Sequence, residues 1–187
     1  MILKPGDIVC TTYSMEHDPD GPDLAQQVLS LGIRTGQCIN DVDGMAIYTH
    51  TFIITDESGR TFETLWTYRS QRIGRAYAGQ QVLIGRHKNM AIEKFYIAHE
   101  ALHKKYAGRR YPAWKIPLFL LAPRLIKYLP GKPVCSELTF RYLYRCGLVD
   151  HWRGVTPSYV ADAIRRWRDF EIIYEGRLTW KQLLDGS

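Results

Sequence analysis

The sequence contains no Cys-x-x-Cys pair and no zinc-ribbon spacing; its four cysteines stand apart at 10, 38, 135 and 146, so each is judged alone. Glycine and proline are spread along the chain, no segment repeats with a period of roughly 20 to 50 residues, and no tract is of low complexity, which excludes solenoids and leaves no linker. No apolar run spans a bilayer: the longest, Trp114 to Pro130, is broken by Lys115, Arg124 and Lys127 and by Pro117 and Pro123. The opening Met1-Ile2-Leu3-Lys4-Pro5-Gly6-Asp7 lacks the apolar core and small-residue cleavage site of a secretory signal. The expectation is a cytoplasmic start without disulfides, any later delivery outside needing a phage or secretion system. Basic residues are scattered, with only short pairs such as Arg109-Arg110 and Arg165-Arg166. The net charge of +6 and pI near 9.2 suit an anionic partner, but no nucleic-acid module is present, and no nucleic-acid function is expected.

What the sequence does have is enough apolar content, 45% of 187 residues, for one core, and residues 1–187 read as a single domain. Ile8 to Thr12 reads as a strand, residues 13 to 23 as an acidic, turn-rich loop, and Leu24 to Leu31 as a short helix. Ile47 to Thr55 and Arg60 to Trp66 are β-rich runs joined by Asp56-Glu57-Ser58-Gly59, a good hairpin turn. Gln81 to Gly85 is a further strand, Glu93 to Tyr106 a helix ended by Gly108, and Cys135 to Arg145 a helix stopped by Gly147. Pro157 opens a helix with Val160, Ala163, Ile164 and Trp167 on one face, and Phe170 to Tyr174 is a closing strand. The pattern predicts an α+β fold, a small antiparallel sheet packed against helices.

Cys10, in Ile8-Val9-Cys10, and Cys146, near the end of an apolar helix, read as packed small hydrophobes. Cys135 differs. The extended Gly131-Lys132-Pro133-Val134 leads up to it and the helical Ser136-Glu137-Leu138-Thr139-Phe140 follows. That places its thiol at a helix N-terminus, where the partial positive charge favours a thiolate and the Cys135 amide can help bind an oxyanion. In Tyr48-Thr49-His50-Thr51-Phe52-Ile53-Ile54, alternation puts His50, Phe52 and Ile54 on one face. The return strand then brings Glu63 near enough to His50 to accept a hydrogen bond from its ring N–H and orient it as a base.

Gly6-Asp7-Ile8-Val9, His50 at a strand start, Phe62-Glu63-Thr64 and Val134-Cys135-Ser136-Glu137-Leu138, in that order, resemble the circularly permuted NlpC-type papain-like cysteine hydrolases, particularly their YiiX-like branch. Val82-Leu83-Ile84-Gly85-Arg86 is similar to that family's strand ending in Arg. Tyr106-Ala107-Gly108 with Tyr111, and Val155-Thr156-Pro157, look like its further helix boundaries. Segments near 13–45 and 112–130 match poorly and read as insertions. The resemblance implies a papain-like α+β fold and metal-free, cofactor-free hydrolysis of an amide or ester bond through Cys135, His50 and Glu63. The implied substrates are peptide, cell-wall or acylated compounds. Lipid acyltransferases and thioesterases on such folds, and a non-catalytic binding module, stay open. Cys135-Ser136-Glu137 stands where the lecithin-retinol-acyltransferase-like group carries Asn-Cys-Glu-His, which favours the hydrolase branch.

A competing motif is His99-Glu100-Ala101-Leu102-His103, a literal match to the His-Glu-x-x-His helix of zinc peptidases, with Glu100 as general base. Lys104-Lys105 directly after it place two cations beside any zinc. The third ligand would have to come from Glu137 or His151. Phe95, Ala98, Leu102 and Tyr106 instead form an apolar stripe, with His99 and His103 on its flank. His17, Asp18, Asp20 and Asp23 lack calcium-loop spacing. Trp114 to Leu129, basic and apolar by turns, either roofs the cleft, the preferred reading, or touches a membrane surface.

Overall fold

The computed structural model describes residues 1–12, 47–65, 67–110, 112–115, 128 and 131–179. The expected helix over Leu24 to Leu31, the insertion near 13–45, Cys38, Trp66 and most of the segment 112–130 lie outside them.

In chain order the strands are β1 (Ile8–Thr11), β2 (His50–Ile54), β3 (Arg60–Thr64), β4 (Tyr68–Arg72), β5 (Gln81–His87) and β6 (Phe170–Arg177). They form one antiparallel sheet ordered β4-β3-β2-β1-β5-β6. The described helices are α1 (Ile73–Tyr77), α2 (Ile92–Tyr106), α3 (Cys135–Arg145) and α4 (Pro157–Arg166), with a 3-10 turn at Ala113–Lys115. The β2–β3 connection is the expected turn: Asp56 Oδ1 accepts from Ser58 Oγ at 2.6 Å and from the Arg60 amide at 3.1 Å, and Gly59 supplies φ +74°.

Both faces of the sheet are covered, and strand alternation decides which residue goes where. Ile8, Cys10, Ile53, Phe62 and Leu83 face a layer built from α2, α3 and α4, including Phe95, Leu102, Leu138, Phe140, Val160 and Ile164. Val9, Phe52, Ile54, Val82 and Ile84 face a thinner layer made by Leu3, Leu65, Leu178 and the two α1 residues Ile73 and Tyr77. The stripe predicted on α2 is the buried one, Phe95, Ala98, Leu102 and Tyr106. α4 opens as its sequence dictates, with Pro157 at its first turn and the Thr156 side chain capping the Tyr159 amide.

The sheet is larger than the sequence suggested. β4 and α1 were not anticipated, because Tyr68-Arg69-Ser70-Gln71-Arg72 is mostly polar and Ile73-Gly74-Arg75-Ala76-Tyr77 is barely more than a turn long. As the outermost strand β4 needs only one apolar anchor, and Tyr68 provides it. β6 runs on to Arg177 past the expected end at Tyr174, pairing Gln81 with Arg177.

Candidate active site

β1 and β2 pair Thr11 with His50, so His50 is the first residue of its strand and lies at one end of the sheet. The β2–β3 ladder pairs Ile53 with Phe62 and Ile54 with Thr61. One step further along that register, Glu63 stands opposite Phe52 and diagonal to His50. Their side chains meet there, His50 Nε2 lying 2.8 Å from Glu63 Oε2, with both residues buried.

Glu63 is fully enclosed and fully engaged. Its Oε1 accepts from Thr61 Oγ1 at 3.0 Å and its Oε2 from the Tyr77 hydroxyl as well as facing His50. Burial alone would raise its carboxyl, but the hydrogen bond and charge of His50 and the two hydroxyl donors hold it below the usual carboxylate range. The sequence reading found Glu63 but missed Tyr77. Its ring stacks on Phe52 at 4.6 Å and on His50 at 6.3 Å, so the imidazole is fixed both by its acid and by an aromatic wall. Thr61 was within reach of the sequence, since positions two apart on a strand share a face.

Cys135 is the first residue of α3, and Val134 before it is extended, with ψ of 177°. The approach to the helix is pinned from below: the Tyr68 hydroxyl donates to the Pro133 carbonyl. Glu137 closes the first turn, its Oε2 accepting from the Val134 amide at 3.1 Å and from Lys115 Nζ at 3.0 Å, and its Oε1 from the Gly154 amide at 3.0 Å. Lys115 and Glu137 are 1% and 0% exposed, so this is a buried ion pair tying the 3-10 turn and the 154 loop to the start of α3. The sequence reading treated Lys115 as an interruption in an apolar run, and Glu137 as part of the motif around Cys135 and a candidate zinc ligand, without pairing the two. The Thr139 hydroxyl donates to the Cys135 carbonyl at 3.1 Å and meets Thr51 of β2 at 3.3 Å, which registers α3 against the strand carrying His50.

The thiol and imidazole are hydrogen-bonded to each other. With Nε2 turned to Glu63, Nδ1 is left for the sulfur. Burial raises the Cys135 thiol, yet the His50 hydrogen bond and charge, and the amides of Thr51 and Ser136, bring it below the usual thiol value. Burial lowers His50, yet Cys135 and Glu63 together raise it to about 9. The two shifts are coupled and run in the same sense, each partner stabilising the charged form of the other.

The motif His99-Glu100-Ala101-Leu102-His103 lies on α2, elsewhere in the helical layer. His99 Nδ1 is 2.8 Å from the Tyr142 hydroxyl, and its ring stacks on Phe95. His103 sits against Phe62, its ring centroid 5.6 Å from that of His99; both His103 and Glu100 are exposed. Glu137, one of the two candidate third ligands, is held by Lys115, and His151 is paired with Asp150. Among the described residues no group of three or more His, Cys, Asp or Glu side chains is placed to hold a metal ion. The segment Trp114 to Leu129 is described only at Trp114, Lys115 and Tyr128, and the loop with His17, Asp18, Asp20 and Asp23 not at all. No helix among the described residues is long and apolar enough to cross a membrane.

No protein-family model matches the sequence, and no curated protein matches it significantly. Among solved structures, the chain is similar to one described as the metalloprotein YiiX from Escherichia coli O157:H7. The match has a TM-score of 0.52 and 14% identity over 95% of this chain and 100% of that one. At this identity the likeness establishes a YiiX-like α+β fold.

Proposed function

We propose that the chain is a cysteine hydrolase of the permuted NlpC-type, papain-like kind, acting on an amide or ester carbonyl, with Cys135 as nucleophile, His50 as its proton partner and Glu63 as the residue that orients His50. The observation that carries this reading is the continuous buried chain from Cys135 through His50 to Glu63, in which the first two shift toward the charged pair. In the first step the Cys135 thiolate bonds to the carbonyl carbon, the carbonyl oxygen takes the negative charge, and the Cys135 amide faces it. That amide is among the helix N–H groups with no intrahelical acceptor. Collapse of the intermediate breaks the bond to the leaving amine or alcohol, which takes its proton from His50. The neutral imidazole then takes a proton from water, the hydroxide bonds to the thioester carbonyl carbon, and breaking of the carbon–sulfur bond releases the acid and leaves the Cys135 thiolate beside the His50 imidazolium.

YiiX is described as a metalloprotein. Among the described residues no third side chain converges on the two imidazoles of the motif on α2, so the donor set described there does not fit a metal.

The test is a hydrolysis screen over peptidoglycan peptides, acyl esters and phospholipids, run with the wild-type chain and with Cys135→Ala. The expected outcome is one substrate class turned over by the wild type and not by the variant. Turnover that survives Cys135→Ala defeats the proposal.

A further inference from the structure

Arg141 and Arg145 stand one turn apart on α3, and like charges at that spacing repel. Arg141 is nevertheless held in place. Its guanidinium carbon lies 4.2 Å from the centroid of the Trp152 indole and 5.5 Å from that of the Tyr106 ring, and its Nη1 donates to the Tyr106 hydroxyl. Arg153 stacks on the same indole at 5.0 Å. Two guanidinium groups therefore share one aromatic ring, with Arg145 close by.

Nothing acidic among the described residues neutralises this group. Arg141, Arg145 and Arg153 pair with no carboxylate, and the neighbouring Asp150 is taken by His151 at 2.7 Å. Burial, and the charges of Arg145 and Arg153, press the Arg141 ionisation below the ordinary guanidinium range. Burial raises the Tyr106 phenol, while the charges of Arg141, Arg145, Arg109 and Arg153 all pull it down, and Arg141 and Lys105 lie over its ring. Such a cluster is left with donors and repulsion that an anion would satisfy at once.

We propose that Arg141 and Arg153, stacked on Trp152, together with Arg145 one turn along α3 from Arg141, form a binding site for a phosphate group. A tetrahedral oxyanion presents three acceptor oxygens and can take paired hydrogen bonds from more than one guanidinium fork, whereas a lone carboxylate fills one. A cavity of about 700 Å³ lined by Arg153, Trp152, Tyr144, Tyr128, His151 and Asp150, the last paired with His151, adjoins the cluster and leaves room for the rest of a phosphate-bearing molecule. The site does not use Cys135 and stands apart from the hydrolase reading.

The experiment titrates inorganic phosphate and pyrophosphate into the full chain by calorimetry, and separately floats the chain on vesicles of phosphatidylglycerol or phosphatidylcholine. Arg145→Ala/Arg153→Ala removes two exposed charges and keeps the half-buried Arg141; Lys4→Ala/Arg75→Ala removes two elsewhere. Melting curves check that both variants fold. Phosphate binding weakened roughly tenfold for each cluster arginine, and unchanged in the control, supports the site with a free phosphate as ligand. Flotation on phosphatidylglycerol alone, lost in the cluster variant and kept in the control, supports it with a lipid headgroup as the source. Binding in neither arm, or binding that the two double variants affect equally, overturns it.

Discussion

Cys10 and Cys135 are both buried, at 0% and 5% exposure, and burial alone drives a thiol toward its neutral form. Cys10 follows that rule: it sits among sheet and helix side chains, and desolvation and the neighbouring Cys135 push its thiol far up. Cys146 is likewise raised by burial. Cys135 departs from it only because an imidazole and two amides stabilise its charge. Brief iodoacetamide treatment at pH 6, read by peptide mass spectrometry, is therefore expected to label Cys135 well before Cys10 or Cys146. His50→Ala should slow that labelling by roughly ten- to a hundredfold, since an unassisted thiol is almost wholly protonated at this pH. The sign of the pH dependence differs between alkylation and turnover. Alkylation falls as pH drops through the depressed thiol value but holds its level above it. Hydrolysis also needs the His50 proton for the leaving group, so its rate declines as pH rises through about 9. Equal labelling of all three thiols, or a hydrolysis rate still rising at pH 10, contradicts the pair.

At the scale of elements, the packing of α4 against the sheet rests on a missing side chain. A Cβ on Gly85 of β5 would lie 2.5 Å from Cγ2 and 2.7 Å from Cγ1 of Ile164. Gly85→Ala is expected to cost about 1–3 kcal/mol by overpacking. Combined with Ile164→Ala, which removes the Cγ1, Cγ2 and Cδ1 atoms that the added Cβ would meet, the loss should be less than the sum of the two single effects. Chemical denaturation of the four proteins measures this, and strict additivity would show that the two residues are not in conflict. Neither the glycine's purpose nor Ile164's was readable beyond a strand and an apolar helix face. The elements that sequence did give were those with a strong period or a sharp stop: α2 with its apolar stripe, α3 between Pro133 and Gly147, and the Asp56-to-Gly59 hairpin. What it could not give were contacts made by residues with no pattern of their own. Tyr77 reaches Glu63 from a helix of five residues, and Lys115 is a cation that buries because Glu137, twenty-two positions on, is buried too. The Cys135, His50 and Glu63 side chains were legible because a helix start, a strand start and a two-residue alternation each leave a local mark.

Across the whole molecule, the candidate site is made by two layers that the sheet separates. His50, Glu63 and Tyr77 belong to the α1 side, whereas Cys135 heads a helix packed on the other. They meet only at the end of the sheet, where β2 begins and the described β2–β3 pairing has stopped at Ile53 and Phe62. The site is thus a property of the assembled fold. The His-Glu-x-x-His helix is assembled by the same layers but toward a different end: His99 hydrogen-bonds Tyr142 of α3 and lines the aromatic stack of Phe95 and Tyr142, a packing role. If that is its role, metal contributes nothing to the folded state's free energy, and a chelator has nothing to remove. The purified chain is expected to hold well under one zinc per molecule by elemental analysis, with the same melting temperature before and after EDTA. His99→Ala should lower the melting temperature, since it deletes a half-buried ring and leaves the Tyr142 hydroxyl without its partner, while leaving metal content as it was. Zinc bound at one per chain and lost in His99→Ala would instead make α2 a metal helix, in line with the description that YiiX carries.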